Sequence, residues 1–203
     1  MILPIPPHRR ADQVAAPNDL SCPHCDAGAT AAHVVPAFDC RAFRDTLGSF
    51  ATGVTVVTAL APNGERIGLT ISSFNSVSLD PPLILWSLSR QSPNIDAFRS
   101  ASRYVVNVLS AGQEEISNRF AARGDDRFAG VAVREGLGGV PMIEGCCAYF
   151  ECANDYRYPG GDHTIFVGRV ERFTQGEEQL PLVFHGGRYR QLEVVFDETV
   201  DED

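Results

Sequence analysis

Small hydroxyl side chains are concentrated in one segment of this sequence, residues 68–82. The segment opens like a strand after Gly68 and ends at Pro81 and Pro82, with four serines falling within seven residues between them. Serines offer hydrogen-bond donors and acceptors with almost no bulk, so the backbone can come close to a ligand. A phosphate or a ribityl chain needs many short donors of this kind. The alternative is a serine-rich loop whose hydroxyls bond only its own backbone.

Two further segments carry side chains suited to proton transfer or anion binding. His163 follows Asp162 behind a Pro-Gly-Gly turn and precedes an apolar strand, so it can point into a pocket mouth while Asp162 fixes its tautomer. The alternative is a turn histidine that caps the strand end.

Arg188 and Tyr189 join a positive charge to an aromatic ring after two glycines, and the alternative there is a plain turn with a snorkelling arginine.

A possible metal site lies near the start of the chain. Cys22 and Cys25 form a C-x-x-C pair, and His33 and Cys40 follow downstream. These four side chains have the ligand types of a structural zinc site, but a second pair is missing. A redox pair is the other interpretation, although no thioredoxin-like βαβ unit surrounds the two cysteines. Zinc therefore remains one option for Cys22, Cys25, His33 and Cys40, and no other metal is predicted.

Composition and charge exclude several classes of protein. The chain has 203 residues, 44% of them hydrophobic, which suits one domain with a sizeable core. Its 17 basic residues are all arginine, and the net charge of −9 disfavours nucleic acid and anionic membrane surfaces as partners. Because lysine is absent, a lysine Schiff base and a P-loop lysine are excluded, and any phosphate must be bound by arginine, hydroxyls or backbone N–H groups.

Other sequence signals favour a cytoplasmic protein. No apolar run approaches the roughly 20 residues of a membrane span, and the proline-containing N-terminus has no apolar signal core. Six cysteines in a chain of this length do not indicate a secreted disulfide scaffold, and the adjacent Cys146 and Cys147 favour buried, reduced thiols. The dinucleotide-binding fingerprint and the serine-hydrolase elbow are both absent.

The chain divides by composition into an arm, a domain and a tail. Residues 1–38 hold six of the thirteen prolines without periodicity and are predicted to be a flexible arm. The domain is predicted over residues 39–195, and residues 196–203 form an acidic tail. Asp39 is predicted to cap a helix through Leu47 or Phe50 that Gly53 ends.

Short strands predominate within the domain, with few helices. A hairpin turn is predicted at residues 63–64, helices from a Ser92 cap through residue 99 and over residues 113–122, and a loop over residues 128–145. The predicted strands are Val54–Leu60, Arg66–Ile71, Leu83–Leu88, Tyr104–Leu109, Cys147–Tyr156, Thr164–Phe173, Leu182–His185 and a closing strand over 188–195. This pattern favours a mainly β barrel with helical inserts over a doubly wound fold. The apolar strand Leu83–Leu88 exceeds what a one-sided sheet needs, which indicates burial on both faces or an interface.

Several motifs in sequence order give the chain a family resemblance over about residues 40–193. The segments are FRDTLGSFATGVTVVT at 43–58, the serine-rich segment ending LDPP at 79–82, YVVNVL at 104–109, DRF at 126–128, GDH at 161–163 and GGRY at 186–189. This combination resembles the short-chain flavin reductases, the reductase components of two-component flavin monooxygenases. The N-terminal arm departs from the family pattern, so no role is carried over to it.

The resemblance implies a Greek-key, FMN-binding split barrel that works as a homodimer. It implies reduction of FMN or FAD by NADH or NADPH, with reduced flavin passed to a separate monooxygenase. By the same resemblance, the ring is flanked by Thr70, Ile71, Ser72 and Ser73. The ribityl and pyrimidine side meets Ser76, Val77 and Ser78. The phosphate is held by Ser87, Leu88, Ser89, Arg90, Gln91 and Ser92. His163 is expected to face the nicotinamide, at a mouth shaped by Arg188 and Tyr189.

Two other functions fit the same barrel. One is a reductase that retains its flavin and reduces another acceptor, such as a corrinoid or an iron complex. The other is a flavin- or haem-binding protein without turnover. The sequence does not decide between FMN and FAD, or between NADH and NADPH.

Overall fold

The computed structural model describes residues 39–122, 124, 126–178 and 180–193. The predicted arm at 1–38 and the acidic tail at 196–203 lie outside these residues. The helices of the described part are α1 (Cys40–Leu47), α2 (Ile95–Ser100) and α3 (Glu114–Ala121). Its first six strands are β1 (Thr52–Gly53), β2 (Thr55–Leu60), β3 (Arg66–Ile71), β4 (Asn75–Leu79), β5 (Pro82–Ser89) and β6 (Arg103–Val108). The others are β7 (Val133–Glu135), β8 (Pro141–Ile143), β9 (Ala148–Gly160), β10 (His163–Gln175), β11 (Val183–His185) and β12 (Arg188–Arg190).

The main sheet of the described residues has seven antiparallel strands in the order β3-β2-β6-β9-β10-β5-β4. Its two edge strands are consecutive in the chain. The short connection between them is hydrogen-bonded to β5 through Ser73. The Ser73 Oγ accepts a hydrogen bond from the Ser87 N–H at 3.0 Å and donates one to the Ser87 carbonyl at 3.2 Å. The sheet therefore curls, and the serine-rich segment crosses from its first strand to its last.

Trp86 lies at the centre of the core that this curled sheet encloses. It is fully buried, stacks on Phe166 with ring centroids 4.4 Å apart, and meets Phe98 and Tyr104 edge to face. Burial alternates along β5, with every second side chain fully buried. The prediction of a strand over Leu83–Leu88 is correct. Its second face, however, is only half-buried, because no layer of the described residues covers it.

The first helix begins as predicted and ends earlier. The Asp39 carboxylate accepts two backbone N–H groups of the first turn, at 2.8 and 3.3 Å. Gly48 caps the C-terminus, whereas the predicted terminator Gly53 lies in β1 and pairs with Val183. The helix is short because it has little core to cover: none of its side chains is buried.

Three other predicted boundaries are wrong. The Gly-rich stretch 128–145 holds a small antiparallel pair, β7 with β8, in addition to loops. The predicted closing strand over 188–195 is only β12, which pairs with β11 in a separate sheet. Helix α2 begins at Ile95, with Ser92 and the following proline in the preceding turn. β7, β8 and β12 were not predicted correctly because strands of three residues are too short to show an alternation of apolar and polar side chains.

Cys146 is buried, as expected, whereas Cys147 is only partly buried. Burial raises the pKa of the Cys146 thiol to about 12, so this group stays protonated at neutral pH. No helix of the described residues has the length and apolar character needed to cross a membrane.

Candidate functional site

His163 and the predicted phosphate segment meet at one end of the main sheet. His163 opens β10 and lies directly opposite Ser89 of β5, and Ile165 lies opposite Ser87. The turn before His163 is fastened to the same segment, because the Arg90 N–H donates to the Asp162 carbonyl at 2.9 Å. Strand register thus brings together residues that are more than seventy positions apart in the sequence.

The Asp162 carboxylate holds the His163 ring. Nδ1 of His163 lies 2.7 Å from Oδ1 of Asp162. The imidazole lowers the pKa of the Asp162 carboxyl through this hydrogen bond and its charge, and Arg44 contributes a smaller effect of the same sign. An ionised Asp162 accepts the Nδ1 proton, so Nε2 is left to meet a ligand. The side chain of His163 is 43% exposed, which leaves it accessible.

The hydroxyls of the serine-rich segment fall into two groups. Ser72 and Ser76 are exposed, and their hydroxyls form no hydrogen bond within the described residues. Ser73 is committed to the backbone of β5, and Thr70 donates to the carbonyl of Ser117 at 2.7 Å. Ser78 accepts the Asp80 N–H at 3.2 Å. Some hydroxyls of the segment therefore face outward, and others bond the protein's own backbone.

Residues 89–92 form a compact turn with hydroxyls on its surface. Ser89 Oγ accepts the Gln91 N–H at 3.2 Å, and Ser92 Oγ accepts the Asn94 N–H at 3.3 Å. Each hydroxyl therefore uses an acceptor position locally and keeps its proton for another partner. The exposed Arg90 adds a positive charge to this turn. The arrangement suits a phosphate.

Two residues of the predicted site turn their side chains into the core. Ile71 is 9% exposed and Leu88 5% exposed. Their side chains are therefore directed away from a ligand. Val77, by contrast, is 48% exposed on the edge strand β4, where an apolar side chain can lie against a ring.

Tyr189 belongs to a hydroxyl network that the sequence did not reveal. Its hydroxyl lies 2.8 Å from the buried Ser117 Oγ and donates to Asn118 Oδ1 at 2.9 Å. The ring also packs edge to face on Phe184. These contacts anchor β12 to α3 and hold the exposed Arg188 beside it. No spacing in the sequence links α3 to β12, so only the fold exposes this connection.

The turn before Arg188 is joined to α1. Gly186 and Gly187 both have positive φ, which favours glycine, and the Gly186 N–H donates to the Gly48 carbonyl at 2.8 Å. Because Arg44 of α1 also acts on the Asp162 carboxyl, this turn, α1 and the His163 turn lie in one region.

The zinc prediction is largely outside the described part of the chain. Cys22, Cys25 and His33 lie beyond the described residues, and Cys40 is an exposed residue of α1. Among the residues that the structure describes, no group of three or more histidine, cysteine or acidic side chains is arranged to hold a metal.

A separate cleft, here called the β3–α2 cleft, opens beside the start of β3 and has a volume of about 660 Å³. Its lining includes Glu65, Arg66, Gly68, Pro93, Asn94, Asp126, Arg127 and Phe128. Arg127 Nη1 donates to the Gly68 carbonyl at 2.7 Å, and Phe128 packs edge to face on Phe120. Residues 126–128 also belong to the motifs that carry the family resemblance.

The described domain is similar to known proteins over most of its length. Residues 47–193 match the model of the flavin reductase like domain. The chain is 46% identical over 149 residues to the FMN reductase (NADH) SmoA of Agrobacterium fabrum, covering 73% of this chain and 84% of SmoA. It is 44% identical over 134 residues to the reductase component of the flavin-dependent trigonelline monooxygenase of Acinetobacter baylyi, covering 66% of this chain. The chain spans 43% of that relative's length and 44% of another's.

The fold is also similar to solved structures. The NADH:FAD oxidoreductase SgcE6 of Streptomyces globisporus superposes with a TM-score of 0.73 at 39% identity, over 84% of this chain and 97% of SgcE6. These likenesses confirm the predicted fold class, a mainly β split barrel with helical inserts, and the resemblance on which it was based.

Proposed function

Because the chain belongs to the flavin reductase like family, we propose that it is an NAD(P)H-dependent flavin reductase that transfers hydride to FMN or FAD. The observation that carries this proposal is the register of β5 and β10, which sets His163 beside Ser89 and the serine-rich segment. SmoA and SgcE6 are named for NADH-dependent reduction of FMN and of FAD, respectively. The trigonelline relative is named as a monooxygenase reductase component, which supports a separate monooxygenase as the acceptor of reduced flavin.

The side chains at this end of the sheet fit a flavin. Ser72 and Ser76 are small and exposed, so they leave room for a flat ring and offer hydroxyls at its edge. The turn 89–92 offers two hydroxyl protons and a guanidinium to a phosphate. A bound flavin supplies a ring that accepts hydride from a reduced nicotinamide stacked on it. Neutral hydrogen bonds of about 1 kcal/mol each allow such a ligand to leave after reduction.

His163 acts on the nicotinamide side in this proposal. The Asp162 carboxylate accepts a hydrogen bond from the Nδ1–H group, which fixes the ring and aims Nε2 away from the carboxylate. Nε2 then orients the nicotinamide as a hydrogen-bond acceptor, or as a donor when the ring is protonated. In this proposal Arg188, which is held in place through its neighbour Tyr189, lies on the nicotinamide side and narrows the opening of the site.

A homodimer is part of the same proposal. Residues directly opposite in antiparallel strands share a face. The register therefore collects an apolar surface, here called the β5–β10 face, on the side of the sheet away from the core. Its apolar members are Leu83, Leu85, Ile165, Val167, Tyr156 and Tyr158, and Ser87 and the exposed Arg169 lie on the same face. The next row toward the sheet's end is Ser89 with His163. A second copy packed on the β5–β10 face would bury these apolar side chains and would also close one side of the site.

A cytoplasmic location also belongs to the proposal. NAD(P)H is an intracellular reductant, so a cytoplasmic location fits the proposed activity.

Steady-state oxidation of NADH and NADPH, each with FMN and with FAD, tests the function. We expect turnover to rise with added flavin far beyond one equivalent per chain. A purified protein that oxidises neither nucleotide when flavin is added would contradict the proposal and favour binding without turnover. Stimulation limited to one equivalent would favour a reductase that retains its flavin.

A further inference from the structure

The β3–α2 cleft adjoins the proposed flavin site in two directions. Along β3, Gly68 is four residues before Ser72, a separation of about 14 Å at the usual rise of a strand. Because side chains alternate along an extended chain, positions 68 and 72 fall on the same side as Thr70, whose side chain points to α3. Along the chain, Pro93 and Asn94 of the cleft lining directly follow the turn 89–92. A ligand with its ring at Ser72 and its phosphate at this turn would enter the cleft if it extended further.

We propose that the β3–α2 cleft binds the adenylate half of FAD, and that this chain therefore uses FAD in preference to FMN. The inference rests on the proposed function and decides between its two flavins. FMN ends at its single phosphate and leaves the cleft unused, whereas FAD continues into a second phosphate, a ribose and an adenine.

The lining has the mixture of groups that an adenylate needs. Arg66 and Arg127 offer cationic donors to a phosphate, and a guanidinium also stacks on a base. Glu65 and Asp126 are acceptors for ribose hydroxyls or the adenine amine. Glu65, Arg66 and Asp126 are exposed, and an apolar ligand would remove these charges from water, so the chemistry of the cleft favours a polar ligand that carries both donors and acceptors.

Arg127 is already held in place for such a ligand. Its Nη1 is fixed on the Gly68 carbonyl at 2.7 Å, and its Nε is buried without a hydrogen-bond partner among the described residues. Gly68 is required at this point, because a Cβ there would lie 2.7 Å from the Phe120 ring. The volume of about 660 Å³ falls in the range of small-ligand pockets.

Equilibrium titration of the full-length protein with FAD, FMN and 5′-AMP, followed by calorimetry, tests the inference without turnover. We expect FAD to bind at least about tenfold more tightly than FMN, the effect of one charge-assisted contact. Arg66→Glu is expected to lower the FAD preference about tenfold and to weaken 5′-AMP binding. Arg41→Glu, the same change on the exposed surface of α1, serves as the matched control and should leave the preference intact.

Three results would overturn the inference. FMN could bind the wild-type protein as tightly as FAD does. Arg66→Glu could weaken both flavins equally. It could also raise the KM for NADH and leave FAD binding unchanged, which would assign the cleft to the pyridine nucleotide. Failure of FAD and FMN alike to bind the wild type is a separate result, because it contradicts the proposed function itself.

Discussion

Two neighbouring serines show how residues of one type divide their tasks at this site. Ser72 is exposed with its hydroxyl directed to no described residue, whereas Ser73 bonds both backbone groups of Ser87. Their sequence context is nearly the same, and both were expected to flank the ring. The division follows from the curl of the sheet, which brings Ser73 against β5.

Substituting these serines separately distinguishes binding from stability. Ser73→Ala leaves the Ser87 N–H without its acceptor, so we expect the free energy of unfolding to fall by about 1–2 kcal/mol. Ser72→Ala is expected to weaken flavin binding severalfold with unfolding unchanged. Chemical denaturation and flavin titration measure the two effects. An equal loss of stability in both variants would show that Ser72 also has a structural role.

The His163–Asp162 pair provides the second prediction at this scale. His163→Ala should lower kcat with NADH more than it weakens flavin binding, because the ring is assigned to the nicotinamide. Asp162→Asn should lower kcat by a smaller factor, since the neutral amide fixes the tautomer less firmly. Rapid-reaction rates of flavin reduction, with flavin affinity measured separately, check both. Parallel losses in rate and affinity for His163→Ala would refute its assigned position.

At the scale of elements, a buried carboxylate holds the segment between β7 and β8. Glu151 of β9 is 1% exposed, accepts the Leu137 N–H at 2.6 Å and pairs with Arg172. Burial opposes its charge, but hydrogen bonds from Arg172 and Leu137 prevail and hold the pKa of Glu151 below its ordinary value. Because the folded-state pKa is the lower one, this stabilisation is present at neutral pH and is lost as pH falls through it.

Glu151→Gln tests this anchor. We expect the free energy of unfolding at neutral pH to fall by about 1–3 kcal/mol, the usual effect of losing a charged hydrogen bond. Amide hydrogen exchange should rise across residues 136–140. In acid, below the depressed pKa, wild type and variant should converge, because the wild-type carboxyl is then neutral as well. A stability difference that is independent of pH would contradict the assignment of this effect to the carboxylate charge.

Elements with a local signal were predictable, and those that depend on distant contacts were not. The Asp39 cap, the turn at Gly64 and strand β3 follow from nearby residues, and the structure has all three. β7, β8 and the start of α2 were missed because partner strands and packing, not periodicity, define them. In the candidate site, His163 and the serine segment were proposed from residue type. The Ser73 bond to β5 and the Tyr189 network depend on which elements adjoin, information that one sequence without its fold does not contain.

The whole molecule leaves the β5–β10 face half-covered, although an apolar sheet face normally packs on a second layer. Tyr156 is 48% exposed and Tyr158 44% exposed. The described part of the chain supplies no helix or strand to cover them. At the end of this face lies His163, so a partner that covers the apolar rows also excludes water from the site. Association and catalysis are therefore expected to depend on one surface.

Val167→Arg places a charge in the middle of the β5–β10 face, between Tyr156 and Leu85 in register. We expect sedimentation to give a dimer for the wild type and a monomer for the variant, because an unpaired charge is costly in an apolar interface. Flavin reduction should fall with dissociation and recover partly at high protein concentration. Glu135→Arg, at an exposed position of β7, is the control and should stay dimeric. A wild-type chain that remains monomeric at micromolar concentration and still reduces flavin would show that the site is complete within one copy.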